Sequence, residues 1–205
     1  MRLFHCRPLA LTAFLPLALA ISACNQPPAS PQAPATPAAA PAALPAQSPV
    51  ERGKMLVIGG GCHDCHTPMK LGPNGAEADM SKMLSGHPES IVITAPMKAT
   101  GPWTVATNAT NTAWSGPWGV SFAANLTPDP DTGMSMNERN FVTALKTGSH
   151  LGSARPILPP MPWPAFRNLN DEDLKSIYAY LRSIPAITNH VPEPVPPMLT
   201  ENLAR

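Results

Sequence analysis

Five consecutive residues, Cys62-His63-Asp64-Cys65-His66, constrain this chain more than any other feature of its sequence. Two cysteines separated by two residues, with a histidine directly after the second, form the C-x-x-C-H pattern of covalent haem attachment. In that chemistry the two thiols add to the porphyrin vinyl groups as thioethers, and the adjacent imidazole is held beneath the ring where it can bind the iron. The motif therefore predicts one haem c, attached through Cys62 and Cys65, with His66 as the proximal ligand.

Two other kinds of site also use a C-x-x-C pair. A thioredoxin-type dithiol needs a strand before its first cysteine, whereas Cys62 follows the three glycines at 59–61. A structural zinc site needs a second pair of soft ligands at similar spacing, and after the motif the chain offers only the isolated His87, His150 and His190. Both alternatives fit this sequence less well than haem.

A candidate for the second iron ligand lies in residues 155–164, where five prolines surround Met161. A thioether is a weak ligand that favours ferrous iron, so its sulfur is best delivered by a stiff loop that loses little entropy when the bond forms. We expect Met161 to be the distal ligand. Met134 and Met136 are alternatives that otherwise read as core residues, and His150 is the alternative for bis-histidine iron.

Filled axial positions would leave the iron without an open site for oxygen or peroxide, which favours electron transfer and disfavours catalysis. The competing interpretation is that Met161 does not bind, which would give a small-ligand sensor or a peroxidase-like enzyme. In either case we expect His66 to donate its other ring N–H to a backbone carbonyl. Pro68 and Pro73 lie in the right stretch to provide one.

The start of the chain predicts export. Residues 1–23 resemble a secretory signal, with Arg2 and Arg7 before a short apolar run. Residues 21–24 resemble a bacterial lipobox in which Cys24 becomes the acylated first residue, with an ordinary cleavage site or an uncleaved anchor as alternatives. Residues 24–49, rich in proline and alanine, predict an extended tether. We therefore expect a lipid-anchored protein on the periplasmic side of a bacterial membrane.

Helix signals mark the folded part, residues 50–188. Ser48 and Glu51 form a capping box, and Gly53 within the first helix suggests close approach of another helix. A second helix is predicted from Ser135 to Gly148, and a third from Asn170 to Pro185. Residues 67–124 predict loops with one or two short strands, including the β-prone run at 91–94. Residues 189–205 predict a proline-rich extended tail.

These features together resemble the class I c-type cytochromes, in particular bacterial monohaem domains similar to the cytochrome subunits of membrane-bound alcohol and aldehyde dehydrogenases. The matching segments are residues 53–67, 125–129 with 132–133, 160–162 and 169–184. The resemblance implies a mainly α, cytochrome c-like helical domain around one covalent haem. The chain departs from a minimal domain of this kind at about residues 80–119, where it carries a long insertion of loops and short strands. The resemblance also implies Met161 as the sixth ligand and a crossing of the first and last helices near Gly53 and Tyr180.

The charge of the chain and its family resemblance together limit the partners that we expect. The chain has 14 Lys and Arg against 13 Asp and Glu, with no basic patch, so nucleic acid is not an expected partner. The resemblance implies redox proteins: a dehydrogenase or quinol-oxidising complex as donor, and an oxidase or another carrier as acceptor. We therefore expect an electron-transfer protein, accessory to a dehydrogenase, and not an enzyme.

Overall fold

A computed structural model of the chain describes residues 47–94, 101–152 and 154–197. The predicted signal, Cys24, most of the predicted tether and the end of the predicted tail lie outside the described residues. Five α-helices and five short β-strands make up the regular structure of the described part.

The first and last helices cross at a glycine. Helix α1, Pro49–Gly59, begins with the predicted capping box, in which the Ser48 side chain accepts from the Glu51 N–H and the Glu51 carboxylate accepts from the Ser48 N–H. Helix α5, Asp171–Ser183, begins at the predicted cap Asn170. A Cβ at Gly53 would overlap the Ser176 carbonyl and lie 2.9 Å from Tyr180 Cβ. The predicted close approach at Gly53 is therefore confirmed.

Three further helices complete the helical part. Helix α2, Cys62–His66, carries the cysteine motif. Helix α4, Trp163–Phe166, begins at the end of residues 155–164, which we call the proline segment. Helix α3, Glu138–Thr147, ends at Gly148 as predicted, but its predicted start at Ser135 is wrong. The cap is Asn137, because its side-chain oxygen accepts the Asn140 N–H at 2.9 Å.

The apolar core lies between α1, α3 and α5. It is formed by buried aliphatic and aromatic side chains from these helices and from the loops beside them: Val57, Leu84, Met134, Phe141, Leu145, Leu174, Ile177, Tyr180, Leu181 and Ile184. Met134 is 4% exposed and belongs to this core, as its interpretation as a core residue implied. Met80, by contrast, is 57% exposed and lies outside this core.

Two small antiparallel sheets correct the expectation of a mainly α fold. Strands β1, Met69–Gly72, and β2, Gly75–Ala78, form a hairpin. Strands β3, Ala106–Thr107, β4, Ala113–Gly116, and β5, Gly119–Phe122, form the second sheet in that order. The strand predicted at residues 91–94 is absent from this described stretch, where the Ile91 carbonyl accepts from His87 Nε2 at 2.8 Å and no strand pairs with it. β-Propensity without a pairing partner does not make a strand.

The described end of the chain packs onto the second sheet. Val195 forms an antiparallel bridge with Val120 of β5, and Asn189 is 8% exposed. The Asn189 side chain donates to the carbonyls of Ser85 and His87 at 2.7 and 2.9 Å and accepts from the Glu89 N–H at 2.9 Å. Within the described ranges, no helix has the length and apolar character needed to cross a membrane.

Candidate functional site

The cysteine motif forms the single turn of helix between α1 and the first hairpin. Gly61, at φ 68°, precedes Cys62 in the left-handed conformation that glycine adopts without a steric penalty. Because the element before the motif is helix α1 and not a strand, the arrangement lacks the strand that a thioredoxin-type site requires. The turn brings Cys62, Cys65 and His66 to the wall of one cavity.

The two thiols have the environment of unreactive cysteines. Burial raises the pKa of Cys62 to about 11, and burial together with the nearby Asp64 carboxylate raises the pKa of Cys65. Catalytic dithiols instead need a lowered pKa, because the thiolate is the nucleophile. The two cysteines do not form a disulfide with each other. The site therefore provides two neutral thiols at a cavity wall, which argues against dithiol redox chemistry.

His66 is oriented by a hydrogen bond from its inner ring nitrogen. Its Nδ1 lies 2.8 Å from the carbonyl oxygen of Ala124, so Nδ1 carries the proton and Nε2 keeps its lone pair. Burial lowers the pKa of His66, which keeps the imidazole neutral and able to bind a metal. The expectation that Pro68 or Pro73 supplies the acceptor is wrong. The Pro68 carbonyl accepts the Asp79 N–H at 2.8 Å, and Pro73 lies in the turn of the β1–β2 hairpin.

The cavity beside the motif has a volume of about 360 Å³, within the usual range for small-molecule and cofactor sites. Apolar side chains from α3, α5 and the loops line most of it, among them Leu126, Phe141, Leu145, Ile177 and Leu181. An apolar wall, two thiols and a neutral imidazole on one side form a donor set that fits a covalently attached haem. Cys62, Cys65 and His66 are the residues that would hold it.

Met161 and two of its alternatives line the same cavity as the motif. Met161 reaches it from the proline segment, Met136 from the loop before α3, and His150 from the turn after α3. The core residue Met134 is not among the lining side chains. The structure therefore brings His66 and Met161 to one cavity, together with Met136 and His150.

A smaller cavity of about 110 Å³ adjoins the first and shares Cys65, His66, His150 and Met161 with it. The strands of the second sheet form its other wall through Trp114, Ser121 and Phe122, and the exposed Arg155 lies at its edge. Arg155 is linked to the site through its backbone, because its carbonyl accepts the His150 N–H at 2.7 Å. This end of the site combines aromatic surface with one cationic side chain.

Comparison with known proteins gives partial relatives, all of them dehydrogenase subunits. A fructose dehydrogenase cytochrome subunit from Gluconobacter japonicus is 30% identical over 133 residues, which is 64% of this chain and 20% of the relative. The cytochrome c subunit of a quinone-type alcohol dehydrogenase from Gluconobacter oxydans is 35% identical over 65 residues, 31% of this chain and 13% of the relative. A nicotinate dehydrogenase subunit from Pseudomonas putida is 28% identical over 144 residues, 70% of this chain and 9% of the relative.

This chain is thus similar to part of the cytochrome c subunits of dehydrogenases. It spans a fifth or less of the length of these relatives. No protein-family model matches the chain. The similarity agrees with the resemblance to cytochrome domains drawn from the motifs.

Two contributors to the site have no signal in the sequence. Ala124 acts through its backbone carbonyl, which every residue possesses, and Ser121 is an ordinary polar residue in a strand. Ser121 Oγ donates to the Pro159 carbonyl at 2.5 Å and accepts from Trp118 Nε1 at 3.1 Å. Only the folded chain shows that Ala124 contacts His66 and that Ser121 contacts Pro159, two residues before Met161.

Proposed function

We propose that this protein is a membrane-tethered, periplasm-facing one-electron carrier with a single haem c. Cys62 and Cys65 attach the haem, His66 and Met161 provide its axial ligands, and Cys24 carries the lipid anchor. The observation that supports this most directly is the shared cavity, in which a C-x-x-C-H turn and a methionine from a proline segment line one apolar space. When bound, the haem iron supplies the one-electron redox chemistry.

The residues of the chain would set how that iron behaves. A neutral His66 held by the Ala124 carbonyl presents Nε2 in a fixed direction, and the surrounding apolar side chains exclude water from the ligand bonds. A methionine sulfur on the opposite side would favour the ferrous state and raise the reduction potential. Both effects belong to an electron carrier.

Optical spectra of the purified holoprotein, with and without carbon monoxide, test this function. A weak sulfur-to-iron band toward the red in the ferric form, and a ferrous spectrum that carbon monoxide leaves unchanged, are the expected results. High-spin features and a ferrous spectrum altered by carbon monoxide would instead support the sensor or peroxidase-like alternative. Absence of the intense haem band would overturn both.

The anchor is tested separately by membrane fractionation. Cys24→Ala should release the protein into the periplasm, since a lipid anchor holds through its acyl chains. Cys6→Ala is the matched control, because Cys6 lies inside the predicted signal and should leave the protein in the membrane fraction. Membrane retention of the Cys24→Ala protein would point to an uncleaved anchor helix.

The proposed electron donor is a dehydrogenase in the same membrane, as the names of the relatives suggest. The haem in native membranes should therefore be reduced when an alcohol, fructose or nicotinate is added. Strains carrying Cys24→Ala should lose this reduction if the tether brings donor and carrier together. Haem that stays oxidised with every one of these substrates would count against such a donor.

A further inference from the structure

One short stretch at the end of β5, Ser121 to Ala124, is hydrogen-bonded to His66 and to the segment that carries Met161. Ser121 Oγ donates to the carbonyl of Pro159, two residues before Met161, at 2.5 Å. Three residues later the carbonyl of Ala124 accepts from His66 Nδ1 at 2.8 Å. The ligand-bearing segments are distant in sequence, so this stretch joins them through direct hydrogen bonds.

Around Met161 the proline segment has few backbone donors of its own. Pro159, Pro160 and Pro162 have no backbone N–H, and the Met161 N–H reaches the Leu158 carbonyl only at 3.3 Å. Further back in the segment the Ile157 N–H donates to the Gly148 carbonyl at 2.7 Å, whereas residues 159–162 have to be fixed mainly through their carbonyls. Ser121 supplies the donor from a position that is 5% exposed, where water competes little for the bond.

The direction of the Ser121 hydroxyl is itself set by a neighbour. Trp118 Nε1 donates to Ser121 Oγ at 3.1 Å, and the hydroxyl hydrogen is then left for the Pro159 carbonyl. Trp118 lies in the turn between β4 and β5, which are paired from Ala113 with Phe122 to Gly116 with Gly119. The sheet thus orients the hydroxyl that holds the methionine segment.

The same region also contacts the cysteine turn. Asn111 Nδ2 donates to the Asp64 carbonyl at 2.8 Å, and the Thr110 carbonyl accepts the Met69 N–H at 2.9 Å. Together with the bond from His66 to Ala124, these contacts connect the second sheet and its loops to the cysteine turn at Asp64, at His66 and just after it. The inserted region is therefore connected to both sides of the cavity.

We propose that the β3–β5 sheet is the frame that sets the two axial residues relative to each other, and that Ser121 is a positioning residue for Met161. This role rests on the proposed His66 and Met161 ligation. It assigns a role to the second sheet, which is to hold the part of the proline segment that carries Met161.

A pair of variants of nearly equal volume tests the role of the hydroxyl. In the purified holoprotein, Ser121→Thr keeps the O–H group and Ser121→Val removes it. Loss of one hydrogen bond should raise the fraction of ferric protein with dissociated sulfur by roughly 2- to 10-fold in Ser121→Val. The red sulfur-to-iron band should then disappear at a lower temperature, and the midpoint potential should fall. Ser121→Thr should retain the band and potential of the unmodified protein.

Two further variants keep the test decisive. Ser115→Ala removes a hydroxyl from β4 that makes no hydrogen bond to Pro159 in the described structure, so it should leave the band intact. Trp118→Phe removes the donor to Ser121 from a partly exposed site and should shift the band in the same direction as Ser121→Val, by less.

Each outcome separates this inference from the proposed ligation. Identical band stability in Ser121→Val, Ser121→Thr and Ser115→Ala overturns the role of Ser121 while leaving Met161 as ligand. Should Ser121→Val not fold, an unchanged band in Trp118→Phe overturns it equally. Absence of the band from the unmodified protein overturns the Met161 ligation, and this role falls with it.

Discussion

The described fold has two halves, one helical and one built on the second sheet, and they are held together by different means. The helical half, formed by α1, α3 and α5, is held by close packing, as at Gly53, where α1 and α5 are nearly in backbone contact. The β half, formed by β3–β5 and the proline segment, is held by single long-range hydrogen bonds such as Ser121 to Pro159. We therefore expect substitutions in the helical half to change global stability, and substitutions in the β half to change the iron ligands first.

The largest effect should come from the cysteine turn, where both halves meet. The double variant Cys62→Ser, Cys65→Ser removes both thiols, so no thioether can form and no haem should stay with the chain after denaturation. Each single variant should retain at most one thioether. Denaturing electrophoresis with haem staining and intact mass measurement report both, and haem that remains bound to the denatured double variant would contradict attachment through this motif.

Breaking the helical half should cost global stability. Gly53→Ala places a methyl group against the Ser176 carbonyl and should lower the free energy of unfolding by about 3 kcal/mol. Gly59→Ala is the matched control in the same helix, because a Cβ there has nothing within 4 Å, and it should leave stability unchanged or raise it by up to about 1 kcal/mol. Denaturant unfolding measures both, and equal effects would contradict the tight crossing.

Outside these two halves, the Asn189 side chain holds the described end of the chain through three long-range hydrogen bonds to residues 85–89. Asn189→Ala leaves the Ser85 and His87 carbonyls without this donor and should cost about 2 kcal/mol of unfolding free energy. Asn168→Ala, which removes one exposed bond to Pro164, should cost less than about 0.5 kcal/mol. A similar loss in both would show that the buried network adds little.

The smallest expected effect is a pH dependence from the buried His87. Burial lowers the pKa of His87, whose Nδ1 lies 2.9 Å from Thr112 Oγ1. A proton therefore binds the unfolded chain more readily than the folded one, and stability should fall as the pH drops below the usual histidine pKa of about 6.5. His87→Gln should flatten this decline between pH 7 and 5, by less than about 1.4 kcal/mol per pH unit. An unchanged slope in chemical denaturation would show that His87 does not contribute.

The helical half could largely be predicted from the sequence because its signals are local. The Ser48 capping box, the Asn170 cap and the Gly148 stop act within a few residues, and each is found in the structure. The predicted start at Ser135 was wrong because Asn137, two residues later, is an equally good N-cap residue and caps the helix in the structure.

The β half could not be predicted in the same way. A β-prone run at 91–94 found no partner, whereas the strands that formed had short sequences of ordinary propensity. The acceptor for His66 is a backbone carbonyl 58 residues away, and nothing in its side chain marks it. Sequence could thus name the predicted ligands Cys62, Cys65, His66 and Met161, but not the groups that hold them.

The account depends most on Met161 as the sixth ligand, and the Met161→Leu holoprotein tests it directly. This swap nearly preserves volume, so the unfolding free energy should change by less than about 1.5 kcal/mol. The ferric red band should vanish, the midpoint potential should fall, and the ferrous protein should bind carbon monoxide. Met134→Leu, Met136→Leu and His150→Gln should leave all three properties unchanged. A low-spin Met161→Leu spectrum insensitive to carbon monoxide would contradict the account, and the ligand would then be whichever of the other three opens the iron.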